Sequence, residues 1–116
     1  MSEPSIPVIF GCAGPELSSA EFDFFRSSNP IGLILFSRNC NTPDQTRKLI
    51  ADFKNAVDVA NPLILIDQEG GRVQRLGPPH WPAYPAAGCV AALGKTDPAK
   101  GQRYMGLLGQ LLASDL

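Results

Sequence analysis

The sequence has 116 residues, 44% hydrophobic and 18% charged, the size and mixture of one soluble globular domain, which excludes a disordered chain. Ten Lys and Arg stand against 11 Asp and Glu, a formal net charge of -1, so nothing favours the polyanionic backbone of a nucleic acid and a small neutral ligand fits better. The opening MSEPSIPVIFGCAGPE has no basic start, and its apolar stretch is too short for a secretory leader or a membrane span; the expected location is cytoplasmic, with no membrane partner.

Along the chain, residues 7–11 (PVIFG) form a short apolar run ended by glycine, a pattern that recurs at 32–36 (GLILF) and 62–66 (PLILI). All three read as strands buried on both faces. Between the first two, Ser18 followed by Glu21 matches a capping box and predicts a helix over 18–27. Thr42, Pro43 and Gln45 then supply an N-cap, a proline in the first helical position and a capping-box partner for a second helix. Its residues Leu49, Phe53, Ala56, Val57 and Ala60 recur at spacings of three and four, which predicts a core-facing stripe opposite Lys48, Asp52 and Lys54 and an end near Asn61 and Pro62. After the third strand, the stretch from Asp67 to about Lys95 contains Pro78, Pro79, Pro82 and Pro85 with little periodicity, and reads as a long functional loop. Asp97 and Pro98 open a last helix, with Tyr104, Leu108, Leu111 and Leu112 expected on its inward face.

The order strand, helix, strand, helix, strand, loop, helix implies parallel strands joined by right-handed crossovers, hence an α/β fold. Periodicity leaves two architectures open, a doubly wound sheet and a (β/α)8 barrel. Cys12, Cys40 and Cys89 form no CxxC and no metal-ligand spacing; they read as buried or half-buried thiols in a reducing compartment.

Asp67 follows an apolar strand directly, so its carboxylate sits where α/β folds place ligands, although an aspartate there can equally cap the next turn. Gly70 and Gly71 permit a sharp turn or close approach to a ligand. Neither GxGxxG nor GxxxxGK[ST] occurs, which leaves no phosphate-cradling loop. Arg72 and Arg75 offer planar donors for hydroxyl or carboxylate oxygens, or salt bridges within the loop.

Residues 32–39 (GLILFSRN) and 62–76 (PLILIDQEGGRVQRL) together resemble family 3 glycoside hydrolases, and within them the bacterial β-N-acetylhexosaminidases of peptidoglycan recycling; the resemblance spans most of residues 8–116. It implies the first three βα units of an incomplete (β/α)8 barrel, with residues 1–116 as the N-terminal part of one barrel domain and no second domain. It also implies that Asp67 and Arg75 contact the sugar in the -1 subsite, Asp67 as acceptor and Arg75 as donor, with Arg38, Asn39, Glu69 and Arg72 bracing the pocket, although Arg38 can equally pair with a carboxylate at the strand end. The expected ligand is a small saccharide or muropeptide containing an amino sugar, with no cofactor and no metal.

The family mechanism is retaining, with an aspartate nucleophile and a histidine-aspartate acid/base pair that lie farther along the barrel. No catalytic residue is therefore expected in this chain. Asp67 and Glu69 lie about 6–7 Å apart while extended, but both approach from one wall, unlike carboxylates set across a sugar. His80, the only histidine, lies in GPPHWPAYP and is not expected to act as acid or base; Trp81 and Tyr84 there are expected to pack the loop. Two other readings stand beside this one: a non-catalytic partial barrel that binds sugar or self-associates through its open edge, and a β-glucosidase-type member of the same family. The GGRVQR continuation favours the hexosaminidase group.

Overall fold

The computed structural model describes residues 4–116; residues 1–3, the start of the segment considered as a leader, lie outside it. Two units emerge from its internal contacts, Met1–Ile66 and Asp67–Leu116. The first holds β1 (Ile6–Phe10), α1 (Ser19–Ser28), β2 (Pro30–Leu35), a 3-10 turn (Ser37–Asn39), α2 (Pro43–Ala56) and β3 (Leu63–Ile66). The strands are parallel in the order β1-β2-β3, with Gly32 opposite Leu63 and Leu35 opposite Ile66. This is the mixed α/β architecture with a parallel sheet that the strand and helix order implied.

Both helix starts follow from local chemistry. Ser18 accepts from the Glu21 N–H at 3.1 Å while Glu21 accepts from the Ser18 N–H at 3.1 Å, and Thr42 with Gln45 repeats the arrangement before Pro43, so amides that a helix start leaves unpaired are satisfied. Asn29 closes α1 in the left-handed region at φ 50°, a conformation that asparagine tolerates better than most residues. Its side chain then accepts from the Asp58 N–H at 2.8 Å. That bond draws the chain out of α2, which ends at Ala56 rather than near Asn61. Leu49, Phe53, Ala56 and Val57 are buried as their spacing predicts, whereas Ala60 lies beyond the helix and is exposed.

The two crossovers between neighbouring parallel strands run in the same direction across the sheet, which by the usual right-handed rule lays both helices on one face. Phe25 of α1 meets Phe53 of α2 edge to face, with ring centroids 5.2 Å apart. Leu33 and Leu35 of β2 lie within this core at 0% and 2% exposure. Burial on both faces, expected for all three strands, holds for β2 alone. Val8 and Ile9 of β1 and Leu63 and Leu65 of β3 are exposed, because these are the outer strands of the unit; along β3 the exposed residues alternate with half-buried ones. Gly32 suits this packing, since a Cβ there would come within 2.6 Å of the Leu63 carbonyl oxygen.

The second unit contains the short antiparallel strands β4 (Gln68–Gly70) and β5 (Val73–Gln74), then α3 (Ala87–Thr96) and α4 (Pro98–Ser114). The single long loop expected from Asp67 to Lys95 is thus a hairpin, a proline-rich segment and a helix. α3 lacks a side-chain cap at Ala86 and buries only Val90, so it carries neither a start signal nor an apolar stripe. Asp97 caps α4 as expected, accepting from the Lys100 N–H at 3.1 Å. Gly94 and Gly101 let α3 and α4 approach so closely that a Cβ on Gly101 would collide with the Gly94 backbone. The inward face of α4 is therefore Gly101 and Leu108, while Tyr104 and Leu111, expected inside, are 37% and 50% exposed. Among the described residues, no helix is long and apolar enough to cross a membrane.

Candidate functional site

The hairpin is nearly symmetric about its glycine pair. Gln68 pairs with Gln74 across the two strands, which sets Asp67 and Arg75, the next residues outward, opposite one another. The Arg75 N–H donates to the Asp67 carbonyl at 3.3 Å, and Arg75 Nη2 donates to Asp67 Oδ2 at 3.3 Å. The Asp67 side chain is 45% exposed and that of Arg75 27%. A pair this exposed stabilises the fold little, of order 0–1 kcal/mol, yet it presents an ionised acceptor and a planar donor to a solute. The arrangement can bind and orient a hydroxylated ligand.

The turn is made by Gly70 at φ 83° and Gly71 at φ 61°, where a side chain would be strained. Gly71 also donates its N–H to the Tyr84 carbonyl at 2.8 Å, so the glycines serve a close approach between main-chain segments. Glu69 and Arg72 flank this turn and are both exposed.

Two residues not anticipated from sequence hold the hairpin. Gln68 donates from Nε2 to the Leu76 carbonyl at 2.9 Å and accepts from the Leu76 N–H at 3.0 Å. Gln74 donates from Nε2 to the carbonyls of Leu76 at 2.8 Å and Pro82 at 2.6 Å, and accepts from the Tyr84 N–H at 2.9 Å. Their placement three residues on either side of Gly71 was the available signal. Tyr84 further donates its hydroxyl to Asp115 Oδ2 at 2.7 Å, and this bond is the first cause of a raised Tyr84 pKa. Tyr84 thereby ties the proline-rich segment to Asp115, just past the end of α4. His80 is exposed and meets the half-buried Trp81 edge to face at 6.1 Å.

Arg38 and Asn39 sit in the first unit, where they hold the segment that follows β1. Asn39 is fully buried; its Nδ2 donates to the carbonyls of Gly14 at 2.8 Å and Cys12 at 3.1 Å and approaches Cys12 Sγ at 3.3 Å, while its Oδ1 accepts from the Phe36 N–H at 2.9 Å. Arg38 Nε donates to the Cys12 carbonyl at 3.1 Å, and its guanidinium lies 4.9 Å from the Phe36 ring centroid. Arg38 is thus engaged by a carbonyl and an aromatic face. Glu21 completes the clamp by accepting from the Ala13 N–H at 2.9 Å. Burial pushes the Glu21 carboxyl up, but bonds from the N–H groups of Ser18 and Ala13 outweigh it and hold the group below its ordinary value. Burial, and then the charge of Glu21, push the Cys12 thiol up to about 11. Cys40 is also buried, whereas Cys89 is exposed, contrary to expectation, because it lies on the outer side of α3. Among the described residues, no group of three or more His, Cys, Asp or Glu is placed to hold a metal ion.

No family model matches the sequence. Curated relatives do: a β-hexosaminidase of Alkalilimnicola ehrlichii is 40% identical over 110 residues, covering 95% of this chain and 31% of its own length. A β-hexosaminidase of Xanthomonas campestris pv. campestris is 35% identical over 112 residues, covering 94% of this chain and 32% of its own. Among solved structures, native NagZ from Neisseria gonorrhoeae superposes with a TM-score of 0.87 at 28% identity, covering 97% of this chain and 33% of that one. The same protein in complex with N-trifluoroacetyl-D-glucosamine gives the same TM-score of 0.87. The chain spans about a third of the length of the relatives it matches. Near-complete coverage of this chain by several β-hexosaminidases, together with the architecture shared with NagZ, supports an N-terminal region of a family 3 β-N-acetylhexosaminidase.

Proposed function

We propose that this chain is part of a retaining β-N-acetylhexosaminidase that removes terminal N-acetylglucosamine from muropeptide-derived sugars in peptidoglycan recycling, and that it supplies one wall of the -1 subsite. The observation that carries the reading is the hydrogen-bonded Asp67–Arg75 pair beyond the end of β3. Asp67 accepts from sugar hydroxyls and Arg75 donates to sugar oxygens, so a ligand without the matching groups leaves both unpaired and is rejected. The complex of NagZ with N-trifluoroacetyl-D-glucosamine supports an amino sugar as ligand.

In this reading, residues 1–116 form one part of a single (β/α)8 barrel domain, to which β1, β2 and β3 contribute the first strands. The nucleophile and acid/base pair come from other parts of the barrel, so the chain alone binds without cleaving. A cytoplasmic setting suits the three free thiols. Replacing Asp67 by Ala or Arg75 by Met in the complete natural chain is expected to lower kcat/KM on an aryl N-acetylglucosaminide by roughly 10- to 150-fold, the loss of a hydrogen bond to a charged group worth about 1.5–3 kcal/mol. Unchanged kinetics in both variants, or turnover by the 116-residue chain alone, would contradict the proposal.

The exposed Val8, Ile9, Leu63 and Leu65 on the outer strands favour one alternative, self-association of a non-catalytic partial barrel. Size-exclusion chromatography separates the two, since a folded and strictly monomeric chain counts against assembly.

A further inference from the structure

We infer that Gln68 and Gln74 are positioning residues that set sugar affinity by fixing the backbone from which Arg75 reaches Asp67; this rests on the sugar-binding role proposed for that pair. Arg75 lies between Gln74 and Leu76, and both neighbours are tied down. Gln68 presents its amide to Leu76 as a second peptide group would, taking the Leu76 N–H at 3.0 Å and giving to its carbonyl at 2.9 Å. Gln74 gives to that same carbonyl at 2.8 Å, so two side chains converge on one main-chain unit whose own side chain is only 5% exposed. The remaining donor and acceptor of Gln74 go to Pro82 and to the Tyr84 N–H.

The consequence is a backbone at Arg75 that cannot rotate without breaking several hydrogen bonds at once. An arginine fork binds well only when its plane is held in register with its acceptors, and a displacement near 1 Å in a positioned group can change rates or affinities by up to about 100-fold. The direct Arg75–Asp67 contact at 3.3 Å is long for a charge-assisted hydrogen bond. The glutamines hold the main chain from which this contact is made. They also tie it to the proline-rich segment, whose Tyr84 is anchored on Asp115.

A double-mutant cycle in the complete natural chain tests the inference, reading the Kd for N-acetylglucosamine by calorimetry and the Tm by thermal unfolding. Gln74→Met is expected to weaken binding about tenfold in the wild-type background and less than twofold in an Arg75→Met background. It should lower Tm in both backgrounds, because its bonds to Leu76 and Pro82 persist without Arg75. A merely structural role would leave the binding losses additive, and that result overturns the inference. A tenfold loss in Arg75→Met with none in Gln74→Met overturns positioning while leaving the sugar-binding reading intact. No loss in Arg75→Met removes both. Gln74→Glu keeps the acceptor for the Tyr84 N–H and loses both donors; it is read by the same criteria if Gln74→Met fails to fold.

Discussion

Asn39→Ala tests the clamp on the segment after β1. The wild-type amide makes three main-chain bonds, to the Gly14 and Cys12 carbonyls and from the Phe36 N–H, and its residue is 0% exposed. Full desolvation of each abandoned group would cost about 1–3 kcal/mol, but the three losses are unequal. The Cys12 carbonyl keeps its bond from Arg38, and Gly14 is only half-buried, so water can reach its carbonyl. The Phe36 N–H loses the acceptor that Asn39 supplied. Together with the small cavity left by the side chain, the net expectation is about 2–4 kcal/mol. Equilibrium urea unfolding followed by far-UV circular dichroism measures it, and a destabilisation below about 0.5 kcal/mol, the range of ordinary surface substitutions, would refute the reasoning. Asn39→Asp adds a second check. Its carboxylate keeps the acceptor for Phe36 but turns a charged oxygen toward two carbonyls, which raises its folded pKa. The variant should therefore be least destabilised below about pH 4, the unfolded aspartate value, and lose stability as pH rises through the raised folded value.

Three further outcomes are expected. Gly70→Ala must hold a side chain at φ 83° against the Pro85 carbonyl and should cost more than about 2 kcal/mol; wild-type urea stability in this variant would show that the hairpin is not held as described. Glu21 has a folded pKa below its ordinary value, so its contribution is present above the unfolded value near 4.3 and disappears as pH falls through the lowered folded value; Glu21→Gln should flatten that acid limb, and an unaltered pH profile of Tm would count against it. With Cys12 and Cys40 buried and Cys89 exposed, one of the three thiols should react rapidly with an aromatic disulfide reagent at pH 8, the buried pair reacting only on unfolding. Rapid reaction of all three would show that the segment around Cys12 opens readily.

Local chemistry by itself determined where α1, α2 and α4 begin, because capping groups act within three residues of their targets and are written contiguously as Ser18 with Glu21, Thr42 with Gln45, and Asp97 with Pro98. The three apolar runs likewise marked β1, β2 and β3, and the run from Asp67 to Arg75 marked the family and the pair that its hairpin brings together. Tertiary structure decided what those elements bury. Apolar runs cannot reveal which strand is central, so the exposure of Leu63 and Leu65 became evident only from the order β1-β2-β3. The end of α2 depends on Asn29 reaching Asp58, 29 residues away, and α3 packs through Gly94 and Gly101, residues with no apolar stripe to announce them. The same holds at the candidate site: Asp67 and Arg75 could be named from the sequence, but their 3.3 Å contact and its bracing by Gln68 and Gln74 depend on a hairpin register set by two left-handed glycines and by side-chain bonds to distant main-chain groups. Interactions local in sequence are legible as patterns; those made between remote residues become visible only when the chain has folded.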